Sequence, residues 1–255
     1  MSSDKRKLPA DEPALTDIAH AFRDGQAAAY ARRSGATSYR AAARFWQAAL
    51  TPGALDARMK ELILVALHAS ATALDSEAVR RHVGRALDAG AKPEEVIDVL
   101  ITIVGLANHA LYMALPVLVR ELQALGHPDA ELPAMDAQAQ AIKDAFIQAR
   151  GFWSEQRDII ARVMPEYFSA LSEISTDTWK NGALSMKERE LVCIAIDCSV
   201  THMYEPGLAI HIRNALKHGA TRAEILEVFS LASVTGLEGY LMGVEALADR
   251  ASPRP

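Results

Sequence analysis

The chain has 255 residues, half of them hydrophobic and 23% charged, with a net charge of −5. This is enough apolar material for one large core or two modest ones, which excludes a wholly disordered chain. The acidic balance supplies no basic patch for phosphate backbones or anionic lipid, so neither nucleic acid nor a membrane is an expected partner. The longest apolar runs, LILVAL (62–67) and VLITIVGLA (99–107), fall short of the ~20 residues that span a bilayer. MSSDKRKLPADEPALTD at the start has basic residues with no apolar core behind them, unlike a secretory signal. The expectation is a soluble, cytoplasmic protein.

Taken in chain order, residues 1–12 are charge-rich and aperiodic and read as a flexible tail. From Ala14 the apolar spacing is helical, and it predicts helices over roughly 14–34, 38–50, 55–73, 77–89, 93–124, 134–161, 164–178, 184–200, 206–218 and 222–249. Gly, Pro and capping residues punctuate them: Thr51-Pro52-Gly53, Asp75-Ser76, Gly90, Gly126-His127-Pro128, Pro206-Gly207 and Gly219. With no strand-like alternation and no βαβ rhythm, the fold class is all-α.

A repeat organises these helices. Shifted by 129 positions, residues 184–228 overlay 55–99 without a gap, with about 13 of about 45 positions identical, among them Glu190/Glu61, His211/His82, Gly219/Gly90 and Glu224/Glu95. Most other positions pair apolar with apolar, as in a duplicated unit. The period exceeds that of solenoid repeats, so a compact pseudo-symmetric pair is expected, with units at 13–126 and 127–250. Each unit reads as a long helix, a short loop, a second helix stopped by Gly, and a third helix opened by acidic residues.

KEREL (187–191) with MKEL (59–62), and HIRNALKHGATRAEI (211–225) with HVGRALDAGAKPEEV (82–96), resemble the carboxymuconolactone decarboxylase family, which also contains the alkylhydroperoxidase D proteins. The resemblance implies an alkylhydroperoxidase D-like bundle with its two repeats about a pseudo-twofold axis. It also implies a ring-like assembly, here a homotrimer standing in for the hexamer of single-repeat members. The hydroperoxidase branch carries CxxC and then His in the loop after the first helix; the corresponding stretches here, 71–82 and 200–211, contain no cysteine. Without a resolving thiol pair, peroxide chemistry is not expected. The remaining cysteines, Cys193 and Cys198, are about 140° apart on a helix and read as buried free thiols rather than a disulfide. The cysteine-free branch of the family includes γ-carboxymuconolactone decarboxylase, which needs no cofactor. The resemblance therefore implies a cofactor-free decarboxylase or isomerase acting on a small carboxylated lactone in aromatic catabolism. A hydroperoxidase-like antioxidant and a non-catalytic oligomeric ligand-binding protein are the alternatives.

Such chemistry needs an acid/base group near the working pH and a cation for the substrate carboxylate. THMYEPGLAIH (201–211) concentrates candidates. His211 and Arg213 lie on the helix that Pro206 opens, and His202, Tyr204 and Glu205 lie at its entrance, where the positive helix end favours an anion. His211 recurs as His82, and Glu190 as Glu61, so both positions are open to a structural as well as a catalytic reading; a carboxylate in an apolar helix must have a partner. His202, Tyr204 and Glu205 have no counterparts in the first repeat, which has Ala73, Asp75 and Ser76, and this asymmetry favours function. The expected catalytic set is His211, His202, Glu190, Tyr204 and Glu205. The expected binding set is Arg213, Glu238, His82, Glu61 and His109, of which His109 aligns with Glu238 in the third helices. Glu190, His202, Glu205 and His211 have donor types that suit divalent ions, but their spacing matches no compact signature, and no metal or other cofactor is expected.

Overall fold

The computed structural model describes residues 16–150 and 152–251; the proposed N-terminal tail lies outside them. Among the described residues there is no strand. A 3₁₀ turn at Ile18–His20 precedes α1 (Gly25–Ser34) and α2 (Ala36–Leu50), then α3 (Ala57–Ala69), α4 (Ser76–Asp88), α5 (Pro93–Leu106) and α6 (His109–Ala124). After a 3₁₀ turn at Pro128–Ala130 come α7 (Ala137–Arg150), α8 (Glu155–Val163), α9 (Pro165–Asn181), α10 (Met186–Cys198), α11 (Glu205–Lys217), α12 (Arg222–Val234), another 3₁₀ turn at Thr235–Leu237, and α13 (Glu238–Ala251).

The starts and stops are chemical. Asp24, Asp56, Asp75, Ser154, Ser185 and Thr221 each accept a backbone N–H at a helix N-terminus, and Ser185/Glu188 and Thr221/Glu224 close full capping boxes. Gly90 and Gly219 end α4 and α11 with φ of 92° and 86°, a region that costs glycine little.

Four predicted helices are interrupted. The first breaks because Asp24 caps a new start at Gly25. The helix predicted over 134–161 ends at Arg150 and restarts at Glu155, where Ser154 caps. The third helices of both repeats break at equivalent places. Ala107-Asn108 separates α5 from α6, with the Asn108 amide bonded back to Gly105 O at 2.6 Å, and residues 235–237 tighten to 3₁₀ before α13. By length and composition 93–124 and 222–251 could cross a membrane, but these breaks leave helices of 13 to 16 residues, below the ~20 required.

The 129-residue shift runs further than the sequence alignment suggested: α1 to α6 correspond in order to α8 to α13, and α7 is an insertion between the units. α3 and α10 lie at the centre, with Met59–His68 and Arg189–Asp197 all buried. They are covered on every side because each repeat packs on the other: α5 on α9, α2 on α12, α6 on α8 and α1 on α13. Two equivalent ion pairs join the repeats. Arg189 clamps Asp98 through two bonds of 2.5 and 2.7 Å, and Lys60 meets Glu227 at 3.1 Å. The same carboxylates accept the backbone N–H of Leu184 and Leu55. On the pseudo-axis the hydroxyls of Thr72 and its equivalent Thr201 touch at 2.9 Å. A separate small core of Leu115, Ala139, Ile159, Ile160, Ala161 and Phe168 joins α6, α7, α8 and α9.

Candidate active site

Each repeat places a glutamate from its central helix against a histidine from the next helix. In the second repeat His211 Nδ1 donates to Glu190 Oε2 at 2.5 Å; in the first, His82 Nδ1 donates to Glu61 Oε2 at 2.6 Å. The neighbour one helical stretch along the central helix differs: Asp197 in α10, His68 in α3. Each faces a group delivered across the pseudo-axis by the broken third helix of the other repeat. His109 Nδ1 lies 3.3 Å from Asp197, and Glu238 lies 3.5 Å from His68. The two clusters therefore have the same plan with acid and base exchanged.

The first cluster is stoppered. Arg85 donates to Glu61 at 2.9 Å, Arg81 pairs with Glu238, and the Trp46 ring packs 6.3 Å from His82, which has no exposed surface. His68 stacks on His82 at 5.1 Å. Burial holds the His82 and His68 imidazoles neutral, His68 at about 3, while the His82 and Arg85 contacts outweigh burial and keep Glu61 ionised. Burial pushes Glu238 up, against the pull of Arg81. In the second repeat the positions of Arg81, Arg85 and Trp46 hold Ile210, Asn214 and Ser175.

These shorter side chains leave a cavity of about 110 Å³, lined among others by His109, Tyr112, Arg157, Trp179, Cys193, Tyr204 and His211. An apolar cavity of roughly 150 Å³ accepts a benzene ring, so a single small ring is the fitting scale. Behind His109 and Tyr204, which line both spaces, lies an outer cleft of about 320 Å³ floored by Thr72 and Thr201.

Loop 199–204 sets the remaining groups. His202 N and Met203 N bond Ser199 O, and Tyr204 N bonds Asp197 O, as Ala73, Leu74 and Asp75 do in the first repeat. Met203 and Leu74 both take positive φ, 46° and 47°, which a non-glycine residue adopts only when its surroundings impose it. Asp75 caps α4, whereas Tyr204 gives α11 no side-chain cap. Its ring instead stacks on His109 at 3.9 Å, and His109 Nδ1 meets His202 Nε2 at 2.7 Å, one imidazole donating and the other accepting. Burial, reinforced by His202, His211 and Arg157, pushes His109 down to about 3; burial lowers His202 and raises the Tyr204 phenol. Asp197 is pushed up to about 8 by burial and by the charge of Glu190.

Of the residues expected from sequence, the structure gathers Glu190, His211, His202, Tyr204 and His109 around this cavity. It places Glu61, His82 and Glu238 in the stoppered cluster. Glu205 is exposed at the first position of α11, and Arg213 is exposed farther along it. Neither lines the cavity, because helical periodicity turns 205 and 213 away from the face that carries His211. Two residues escaped the sequence reading. Arg157, on α8, lines the cavity with its guanidinium over the Phe146 ring at 4.1 Å and the Tyr112 ring at 5.7 Å, and no acid pairs with it among the described residues; burial lowers its pKa, opposed by Tyr112 and Tyr204. It lies outside the aligned repeat segment, so repeat logic could not flag it. Asp197 carried a usable signal: an aspartate inside CIAIDCSV needs a partner for the same reason as Glu190. Cys193 is buried and lines the cavity, and Cys198 is half-buried; neither is in a disulfide.

The fold and cluster define a two-repeat helical bundle with one of its paired acid–base clusters open to a ring-sized cavity. The chain belongs to the carboxymuconolactone decarboxylase family, whose profile matches residues 36–116 and 165–248. Those segments begin 129 residues apart, in the structural register. The chain is also similar to a Burkholderia xenovorans LB400 protein of known crystal structure, provisionally described as a gamma-carboxymuconolactone decarboxylase subunit. The identity is 32% over 96% of this chain and 100% of that one, with a TM-score of 0.82. No curated protein matches significantly.

Proposed function

We propose that the chain catalyses decarboxylation or isomerisation of a small carboxylated ring of the carboxymuconolactone type by proton transfer in the second-repeat cavity. The carrying observation is that His211, bonded from behind by Glu190, and Arg157, with no acid paired to it among the described residues, line one ring-sized space from different elements. Arg157 holds the substrate carboxylate by charge-assisted hydrogen bonds. Glu190 fixes the His211 tautomer with Nδ1 protonated, leaving Nε2 to exchange a proton with the ring. In decarboxylation the carboxylate carbon leaves as CO2, its bonding electrons enter the unsaturated ring, and the ring carbon takes one proton, so charge and atoms balance. Membership of the family and similarity to the Burkholderia protein support this reading; the name of that protein is carried here only as the choice of test substrate. Thiol peroxidase chemistry has less support, since burial and Asp197 push the Cys198 thiol up to about 11, far from a thiolate at neutral pH.

The test is turnover of 4-carboxymuconolactone, followed by loss of its ultraviolet absorbance and by CO2 release. His211→Gln should lower kcat by about 100-fold or more, the upper scale of general acid–base catalysis. Arg157→Gln should raise KM by about 10- to 100-fold, the scale of a hydrogen bond to a charged group. Wild-type turnover in both variants would sink the assignment, as would a wild-type protein that neither binds nor converts this or related carboxylated lactones.

A further inference from the structure

The second cluster leaves without a partner a buried carboxyl of the kind its twin pairs with arginine. In the first repeat the cross-axis carboxylate, Glu238, is paired with Arg81. In the second repeat the carboxylate is Asp197, only 1% exposed, and the position of Arg81 holds Ile210. Neither Asp197 oxygen has a hydrogen-bond donor, and no lysine or arginine pairs with it among the described residues. Imidazole nitrogens surround it: His109 Nδ1 at 3.3 Å, His202 Nε2 at 3.7 Å and His211 Nε2 at 3.9 Å. A buried carboxylate without a donor or cation is costly.

We infer that His109, His202 and Asp197 form a binding site for a divalent transition-metal ion of the zinc class, which takes the place of the arginine in the first repeat. The three donor atoms are 2.7, 3.3 and 3.7 Å apart. A tetrahedral zinc with bonds of about 2.0–2.1 Å needs edges of roughly 3.3 Å, so the two imidazoles part by about half an ångström and Asp197 hardly moves. The donors come from the start of α6, loop 199–204 and the end of α10, three elements that interlock across the pseudo-axis. Two imidazoles and one carboxylate suit zinc, iron(II) or cobalt(II) better than magnesium or calcium. Three protein ligands leave coordination positions for water or a substrate oxygen. His109 and Tyr204 line both the inner cavity and the outer cleft, so an ion can enter from the cleft and meet a ligand in the cavity. His211, tied to Glu190, remains beside the ion as the acid–base group.

Two other clusters hold similar donors within reach of one another, His68/His82/Glu238 and Glu190/Cys193/His211. In both the carboxylate already has its partner, Glu238 the Arg81 guanidinium and Glu190 the His211 imidazole. They serve as internal controls.

The experiment uses the purified full-length chain, stripped with chelator and dialysed, and titrated with Zn²⁺ by calorimetry and with Co²⁺ by visible absorption. One ion per chain should bind, and Co²⁺ should give the intense d–d bands of a low-coordinate site. His202→Ala, a loop change, and the near-isosteric Asp197→Asn should each weaken binding by more than about 100-fold, since even the outer partner of a ligand is worth about 10–100-fold. His68→Ala should bind as wild type. No ion bound by the wild type, binding that survives both ligand-set variants, or equal loss in His68→Ala would each overturn the site. Binding is read without turnover, so an inactive but metal-binding protein refutes the proposed reaction alone, and an active protein that binds no ion refutes the metal site alone.

Discussion

At Gly207 the demand on a single residue is easiest to see. Its backbone φ is ordinary, yet a methyl group there would overlap the Asp197 carboxylate and approach Tyr204 Cδ1 to 2.8 Å. The equivalent first-repeat position is Ala78, buried, in the repeat where His68 stands at the position of Asp197. Gly207→Ala should therefore cost about 1–3 kcal/mol in chemical denaturation, the scale of overpacking, and should weaken whatever binds beside Asp197. Ala78→Gly should cost only about 0.5–1 kcal/mol, the helix propensity difference; equal costs at the two positions would show that Gly207 is not there to admit the carboxylate. That Glu190 needs a partner was legible because an apolar helix cannot bury an unpartnered carboxylate; that His211 is this partner came from the structure. Which partner Asp197 has depends on side chains arriving from residues 109 and 202, and no local pattern encodes that meeting.

Among the elements, α8 decides how Arg157 is presented. Asp158, the next residue, accepts from Lys143 and Arg162 at 2.7 Å and from the Trp153 indole at 3.2 Å. Burial works against its ionisation, but these donors hold its pKa down to about 2 from 3.8. A depressed carboxylate contributes stability that is complete above the unfolded value and is lost as pH falls through the folded one. The α7–α8 layer should thus loosen between about pH 4 and pH 2, by about 1 kcal/mol after allowance for solvent screening. Trp153 fluorescence should report it, and Asp158→Asn should remove that acid transition; an unchanged transition in the variant would refute the coupling. Sequence periodicity foresaw helix in this region but ran it continuously from 134 to 161, because an apolar face repeats across 151–154 and the cap at Ser154 is a single weak cue. The breaks at 107–108 and 235–237 were missed for the same reason, and it is those breaks that aim His109 and Glu238 across the axis.

For the whole molecule, the interlocking of repeats matters more than either unit. Asp98 and Arg189 are both buried and belong to different repeats. Asp98→Ala strands the guanidinium and should cost about 3–5 kcal/mol, the scale for breaking a buried pair, measured by urea unfolding; a loss under about 1 kcal/mol would show that the repeats do not depend on this clamp. Assembly is a second prediction at this scale. Ile97, Ile101 and Val104 on α5 and Met113, Val117 and Leu118 on α6 are exposed apolar side chains, more than scattered surface residues would explain. The homotrimer implied by the resemblance would bury such a face and run at about 83 kDa by light scattering, three times the 27.6 kDa chain. A monodisperse 27.6 kDa species at micromolar concentration would refute it.

The sequence by itself determined the helical class, the duplication and its register, and the recurrence of one glutamate and one histidine in each repeat. These rest on local periodicity, capping chemistry and the cost of burying a lone carboxylate, all readable along one strand of chain. Only the tertiary structure decided which pair is open, because that depends on Arg81, Arg85 and Trp46 converging on one cluster while Ile210, Asn214 and Ser175 leave space at the other. It also decided that the cation facing the cavity is Arg157 rather than Arg213, since the two lie on different helices and only packing orients them. The unpartnered carboxyl of Asp197 belongs to the same level: His109 reaches it from the other repeat, across an axis the sequence repeats but does not draw.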